Sequence, residues 1–382
     1  MSAARSSIPA PVVATRRVAR WLDTLGVSPM ALDDTLAWFN PMWRVHQLQA
    51  RVVRRVAETP SAVTLVLQTG PAFPALRPGQ FVVIGVTIDG VCHRRAYSPR
   101  TLPDEPGHIA ITVQRQPDGL VSTHVQDSLP VGSMVAIEAP SGEFVLPAAL
   151  PAEVLLIAGG SGITPCMAML QHLHAHAAHT RVTLLYFARS PVDRIFGQEL
   201  ARLARQWRQL HYVPVDSVAN TAGVQLGQAS GARTLDLPML DAACPNWRQT
   251  VAYCCGPAPL MDAARALWHT EAPHGTLHLE AFAAPRASGD PDARHAVTLR
   301  RSGDTVRFDA AGNMTLLVAG ETAGLSIKHG CRQGICHECT CRLTRGTVQD
   351  LSTGQRVEGE GQPVRLCVTS AMSDIELDAL NG

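Results

Sequence analysis

The chain has 382 residues, 46% hydrophobic and 17% charged, with 33 Lys and Arg against 32 Asp and Glu for a formal net charge of +1. That length exceeds one ordinary hydrophobic core and predicts two or three domains, while the balanced charge removes any overall attraction to nucleic acid as a partner. The longest uncharged run, residues 154–180, is interrupted by Gly159, Gly160, Gly162 and Pro165 and reads as a buried strand and helix, not a membrane span.

Arg16-Arg17 resembles a twin-arginine export signal, but Asp23, Asp33 and Asp34 follow where an apolar core should stand, so export is not expected. The cysteines gather near the C-terminus and are not spread as paired staples. That suits a reducing cytoplasm and a metal site better than a disulfide framework.

Taken in chain order, residues 1–45 read as a helical extension. Val18, Trp21, Leu22 and Leu25 share one helical face, a Ser28-Pro29 start opens a second segment with Leu32, Leu36 and Phe39, and Asn40-Pro41 stops it. From 46 to 150 short alternating stretches bounded by Gly, Pro and Asp turns predict an antiparallel β-barrel. From 151 to 283 strands alternate with helices: "VLLIAG", a helix over about 164–177, "RVTLLYFA", a helix near 197–208, and "TVAYCCG" leading to a helix from Pro259. This predicts a doubly wound parallel α/β domain. Residues 284–294, rich in Ala, Pro, Gly, Ser and charge, read as a linker, and 295–382 form a further small domain. The fold class is therefore multidomain α+β.

Three motifs carry chemistry. "HRRAYSP" places Arg95, Tyr97 and Ser98 at a strand end, where a phosphate clamp, a stacking ring and a hydroxyl can meet one ligand; an ordinary edge strand is the alternative. Gly119 to Ser122 supply a tight turn whose N–H groups suit a pyrophosphate at a helix start. "AGGSGITP" follows a strand and opens a helix, so Gly159, Gly160 and Gly162 let backbone approach a dinucleotide, although such turns also occur without ligand. At the end of the next strand Arg189, Ser190 and Arg194 favour a 2′-phosphate and hence NADPH, with Asp193 standing among them. "YCCGPAPLM" repeats the strand-end pattern, with Cys255 at the mouth of the crevice and Gly256-Pro257 turning against ligand.

Near the C-terminus, Cys331, Cys336, Cys339 and Cys367 have the C-x4-C-x2-C…C spacing of a plant-type [2Fe–2S] centre. A zinc site would want a second close cysteine pair, and a dithiol only Cys336-x-x-Cys339. Cys341 is surplus and reads as a buried strand thiol. His172, His176 and His179 at helical spacing read as a solvated face, and Cys92, Cys166 and Cys244 as core or surface thiols.

In this order, R-x-Y-S, G-x-x-S, GGSGITP, CGPxxLM and the cysteine spacing resemble the ferredoxin–NADP reductase superfamily, in the group that carries a C-terminal ferredoxin domain. The resemblance covers about residues 46–382. It implies an FAD-binding barrel, an NAD(P)-binding α/β domain and a β-grasp-like [2Fe–2S] domain, with electrons passing from NAD(P)H through FAD and the cluster to an acceptor protein. Carried over, Arg95, Tyr97 and Ser98 bind FAD, and Gly119, Val121 and Ser122 hold its pyrophosphate with Val113 and Arg115 nearby. Gly159, Gly160, Ser161, Gly162, Ile163, Thr164 and Pro165 carry the nicotinamide dinucleotide with Arg189 and Ser190. Cys255 flanks the nicotinamide, followed by Gly256, Pro257 and Met261. Glu280 and Phe282, in "HLEAF", end the reductase module over the flavin. Ser98, Cys255 and Glu280 are the catalytic candidates.

More narrowly, the extension ending "FNPMWRVHQLQARV", together with "GICHECTCRLTRGTVQDLSTG", is similar to reductases of membrane fatty-acid desaturases, where a cysteine at the place of Cys341 is usual. The expected acceptor is then a membrane diiron desaturase or hydroxylase, reached by a cytoplasmic protein with peripheral contact at the inner membrane face. A soluble aromatic-ring or alkyl oxygenase is the alternative, and a redox sensor without turnover the rival from another class.

Overall fold

The computed structural model describes residues 33, 35, 37, 38, 40–44, 47–217, 233–272, 274–282, 289–301, 303–334, 337–359 and 361–380. The periodic face expected at Val18, Trp21, Leu22 and Leu25 lies outside the described residues, as do Leu32, Leu36 and Phe39. The chain forms two compact units, Met1–Glu280 and Ala281–Gly382. The first unit holds both the barrel and the α/β domain.

The first unit opens with seven strands: β1 (Gln49–Thr59), β2 (Ala62–Thr69), β3 (Val82–Ile88), β4 (Val91–Tyr97), β5 (Pro99–Thr101), β6 (His108–Gln114) and β7 (Met134–Ile137). They pair antiparallel in the order β4-β3-β7-β1-β2-β6-β5. The two edge strands, β4 and β5, are separated in sequence by Ser98 alone, so the sheet must curl until its edges meet there. Alternate residues fill the interior: Val63, Leu65 and Leu67 of β2, Val82, Ile84 and Val86 of β3, and Ile109, Ile111 and Val113 of β6 are all buried in one cluster. Helix α1 (Leu120–Asp127) adds Val121 and Val125 to that core. Its C-terminal carbonyls are collected by Arg55, whose Nη atoms donate to Val125 O and Gln126 O, both at 2.7 Å, and to Leu129 O.

The remainder of this unit alternates β8 (Glu153–Gly159), α2 (Ile163–His176), β9 (Arg181–Ala188), α3 (Gly197–Gln206), β10 (Leu210–Asp216), α4 (Leu237–Ala243), β11 (Val251–Cys255), α5 (Ala258–Glu271) and β12 (Leu277–Glu280). All strand pairs are parallel, in the order β10-β9-β8-β11-β12. Central β8 is buried on both faces, which explains its unbroken apolar sequence. Among the described residues no helix is long and apolar enough to cross a membrane.

In the second unit β13 (Arg294–Arg301) and β14 (Asp304–Ala311) form a hairpin, α6 (Leu316–Thr322) follows, and β15 (Thr340–Arg345), β16 (Thr347–Asp350), β17 (Arg356–Glu358), β18 (Gln362–Arg365), β19 (Thr369–Ala371) and β20 (Ile375–Ala379) complete it. The main sheet runs β14-β13-β20-β15-β18 with β13 and β20 parallel, and β17-β16-β19 form a smaller sheet. Thr315 caps α6 through its side chain, and Leu316 and Leu317 enter the core beside Phe308. This is the helix-over-mixed-sheet arrangement expected of a β-grasp.

Candidate functional site

In the five-stranded sheet the chain starts at β8, works outward to β9 and β10, then returns to the other side of β8 with β11. The switch point lies between the C-terminal ends of β8 and β11, where open α/β sheets leave a crevice for ligand. The Gly-rich turn ends β8 and the Cys255-Gly256-Pro257 turn ends β11. They touch backbone to backbone: a Cβ on Gly162 would lie 2.0 Å from Cys255 O, and one on Gly159 would lie 2.7 Å from the Pro257 ring. Gly160 has φ +53°, a left-handed value that glycine takes readily. Gly160 and Ser161 keep partial exposure, whereas Ile163, Thr164 and Pro165 are buried. The Thr164 hydroxyl donates to Ser161 O at 3.0 Å and steadies the turn. Beneath it Tyr186, missed in the sequence, donates its hydroxyl to Gly160 O at 3.2 Å and accepts the Ile195 N–H at 3.0 Å. A tyrosine in an otherwise apolar strand was the available signal.

Strand pairing sets Cys255 beside Ala158 on one side and Glu280 on the other. Both Cys255 and Glu280 are buried. Burial, followed by the neighbouring Glu280 carboxyl, pushes the Cys255 thiol well up, and burial raises the Glu280 carboxyl to about 8. Glu280 Oε2 has no hydrogen-bond partner, and neither does the buried hydroxyl of Ser98. Buried polar atoms of this kind normally have a partner, so the two mark where a polar group of a ligand would be satisfied.

At the barrel edge Arg95 pairs with Ile84 and Tyr97 with Val82, so both share the face that turns to the interior. Arg95 Nη1 donates to Arg94 O at 2.8 Å. The Tyr97 phenol is raised to about 12 by burial, with Arg95 opposing. Gly119 precedes α1 in extended conformation with no side-chain cap, leaving the first-turn N–H groups for an outside acceptor. The Ser122 hydroxyl instead turns inward, accepting the Gln116 N–H and donating to Gly119 O, each at 3.1 Å.

Several sequence candidates are placed elsewhere. The Val113 and Val121 side chains lie in the barrel core, because strand and helix periodicity direct them there. Arg115 pairs with Asp127, with Nη1 to Oδ2 at 3.0 Å. Arg189 and Ser190 are both held by Asp193, at 3.1 and 2.7 Å, and Arg194 by Asp216. Met261 is buried in α5. The rings of His172 and His176 stack at 4.5 Å on the exposed part of α2.

Of the four cysteines expected to hold the cluster, Cys331, Cys339 and Cys367 are buried, and Cys336 lies outside the described residues. Hydrogen bonding with Cys339, then burial and the neighbouring Cys331, push the Cys367 thiol far up. Gln333 N donates to Cys331 Sγ at 3.3 Å. The loop is folded by left-handed Arg332, Gly334 and His337, at φ +59°, +77° and +59°. A Cβ on Gly334 would press on Val368 at 2.9 Å. Among the described residues no three Cys, His or acidic side chains close on one point as for a single metal ion. The Cys367–Cys339 contact with Cys331 nearby and the backbone donor to Cys331 Sγ nevertheless suit the thiolate ligation of an iron–sulfur cluster, which spreads its ligands over two irons. Cys341 faces the core from β15 with its thiol raised to about 12 by burial. Gln333 Nε2 also donates to Phe282 O at 2.5 Å.

The fold and these sites define an oxidoreductase that couples a pyridine nucleotide to a flavin and an iron–sulfur centre. Family models agree module by module: an oxidoreductase FAD-binding domain over residues 50–146, an oxidoreductase NAD-binding domain over 156–266 and a 2Fe-2S iron-sulfur cluster binding domain over 299–372. The chain is 36% identical over 369 residues to an NADPH oxidoreductase of Mycobacterium tuberculosis, covering 96% of this chain and 92% of the relative. It is 31% identical over 353 residues to the ferredoxin reductase component of a 3-ketosteroid-9-alpha-monooxygenase from Mycobacterium tuberculosis, covering 83% and 94%. Among solved structures it matches phthalate dioxygenase reductase with a TM-score of 0.61 and 25% identity, over 87% of this chain and 98% of that one. The chain belongs to the ferredoxin reductase superfamily, in the group with a C-terminal [2Fe–2S] domain. Its cofactors are FAD, NAD(P)H and the [2Fe–2S] cluster.

Proposed function

We propose that the chain is the reductase component of an iron-dependent oxygenase, drawing on NADPH and delivering electrons one at a time to a separate soluble partner. The observation that carries this reading is the near full-length correspondence to phthalate dioxygenase reductase, joined by the reductase subunit of glycine betaine monooxygenase from Chromohalobacter salexigens at 28% identity over 88% of this chain. FAD and the cluster, when bound, would supply the conversion between two-electron donation by the nucleotide and single-electron delivery. The protein's part is positional. The Gly-rich turn admits a pyrophosphate against backbone, and Cys255 walls a site from which water is excluded. Glu280, carrying its proton near neutral pH, offers a hydrogen-bond donor there, and the Ser98 hydroxyl does the same from the barrel edge. Arg189 and Ser190 would take a 2′-phosphate in place of Asp193. Ser98, Cys255 and Glu280 are the residues proposed to touch the reacting rings, and Cys331, Cys336, Cys339 and Cys367 the proposed cluster ligands.

A second reading, a membrane diiron desaturase as acceptor, is supported by the resemblance of the N-terminal segment and by its exposed aromatics, Trp38 at 92% and Trp43 at 47% exposure. The test captures partners of the NADPH-reduced protein from soluble and membrane fractions, then measures NADPH-driven substrate oxidation by each captured fraction. Turnover by a soluble oxygenase supports the first reading, and turnover confined to membranes supplied with acyl-CoA replaces it with the second. Failure to reduce an artificial acceptor with either NADPH or NADH refutes both.

A further inference from the structure

One guanidinium joins three elements of the reductase unit. Arg100 lies on β5, two residues beyond Ser98, and its Nη1 donates to both carboxylate oxygens of Glu199, at 3.0 and 3.1 Å. Glu199 is in the first turn of α3 and also accepts from Gln171 Nε2 of α2 at 3.2 Å. The Arg100 guanidinium stands 4.8 Å from the centre of the Phe196 ring. Phe196 caps α3 in left-handed conformation, φ +59°, and is buried. The ion pair is largely withdrawn from solvent, with side-chain exposures of 13% for Arg100 and 28% for Glu199, so it is screened less than a surface pair. β5 also packs directly on α2, the helix that the Gly-rich turn opens.

These contacts bridge the two halves of the crevice. The flavin-side residues Tyr97, which ends β4, and Ser98, which follows it, lead straight into β5, whereas the nucleotide-side turn leads into α2, and the ribose-side loop into α3. We infer that Arg100, through Glu199, Gln171 and Phe196, is a positioning residue that sets the gap across which nicotinamide must reach the flavin. The inference rests on the NAD(P)H–flavin chemistry and is independent of the acceptor, so it is measured with no acceptor present.

The test compares the full-length FAD-loaded protein with Arg100→Ala, Glu199→Gln and the exchanged pair Arg100→Glu with Glu199→Arg. Reduction of the flavin by NADPH is followed in rapid mixing, NADP+ affinity by titration, and amide exchange over residues 100–101 and 197–206. Arg100→Ala should slow flavin reduction about 10- to 100-fold, the scale of an ångström of misplacement, while NADP+ affinity stays within about threefold because each half keeps its own binding groups. Exchange should quicken in those two segments, and the exchanged pair should recover part of the rate. Unchanged flavin reduction in Arg100→Ala overturns the inference. So does a loss carried entirely by nucleotide affinity, or one accompanied by no change in exchange. Should Arg100→Ala fail to hold FAD, the near-isosteric Glu199→Gln is measured by the same three readouts, and an unchanged rate of flavin reduction there overturns the inference equally.

Discussion

Gly162→Ala isolates the close approach of the two strand-end turns. Gly162 has φ −62°, a helical value that alanine adopts without strain, so any effect comes from space. The added methyl would sit 2.0 Å from Cys255 O, 2.4 Å from its carbonyl carbon and 2.8 Å from Gly256 N, all backbone atoms. Ordinary contact begins near 3.4 Å, so the β11 turn must retreat by about 1.4 Å, the difference from 2.0 Å. Overpacking of this kind costs about 1–3 kcal/mol. Because both turns line the crevice, a shift above an ångström should also slow flavin reduction by about 100-fold. The assays are thermal unfolding, NADP+ titration and rapid-mixing reduction of the purified variant. An unfolding midpoint, nucleotide affinity and reduction rate all equal to the parent's would refute the claim that these turns meet backbone to backbone at the site.

Two further outcomes are expected. The Glu280 carboxyl is raised from 4.5 to about 8, so the folded state holds a proton that the unfolded chain has lost between those values. Stability should therefore fall as pH rises across that window, by at most about 5 kcal/mol, and level off above it. Glu280→Gln should remove that slope in urea denaturation of the FAD-free protein, and identical slopes in the two proteins would contradict the burial argument. In the second unit, Cys341→Ala should keep the cluster's visible absorbance and its paramagnetic signal on reduction, losing only about 1 kcal/mol of packing. Cys367→Ala should lose both signals, and the reverse pattern would exchange their roles.

Much of the architecture was legible because its signals are local. Alternation over the barrel strands, the continuous apolar β8 and the helix starts at residues 163, 197 and 258 all lie close to their expected places. The cysteine spacing was legible for the same reason, since three of the four positions lie within one short loop. Side-chain direction at the sites was less so. Val113, Val121 and Met261 sit within binding motifs but point into cores, and Ser122 spends its hydroxyl on its own turn. Arg115, Arg189 and Arg194 each met an acidic partner that a motif does not reveal.

The sequence by itself determined the modules, their order and the chemistry each brings, because glycine turns, strand periodicity and thiol spacing act over a few residues. Only the tertiary structure decided which residues share a site. Cys255 and Glu280 become neighbours through parallel pairing across a helical crossover. Ser98 gains its position because the barrel's two edge strands meet at it, and Arg100 finds Glu199 across a sequence separation of 99 residues. Such contacts depend on closing long loops, whose cost is met by the whole core at once, and no short stretch of the chain encodes them.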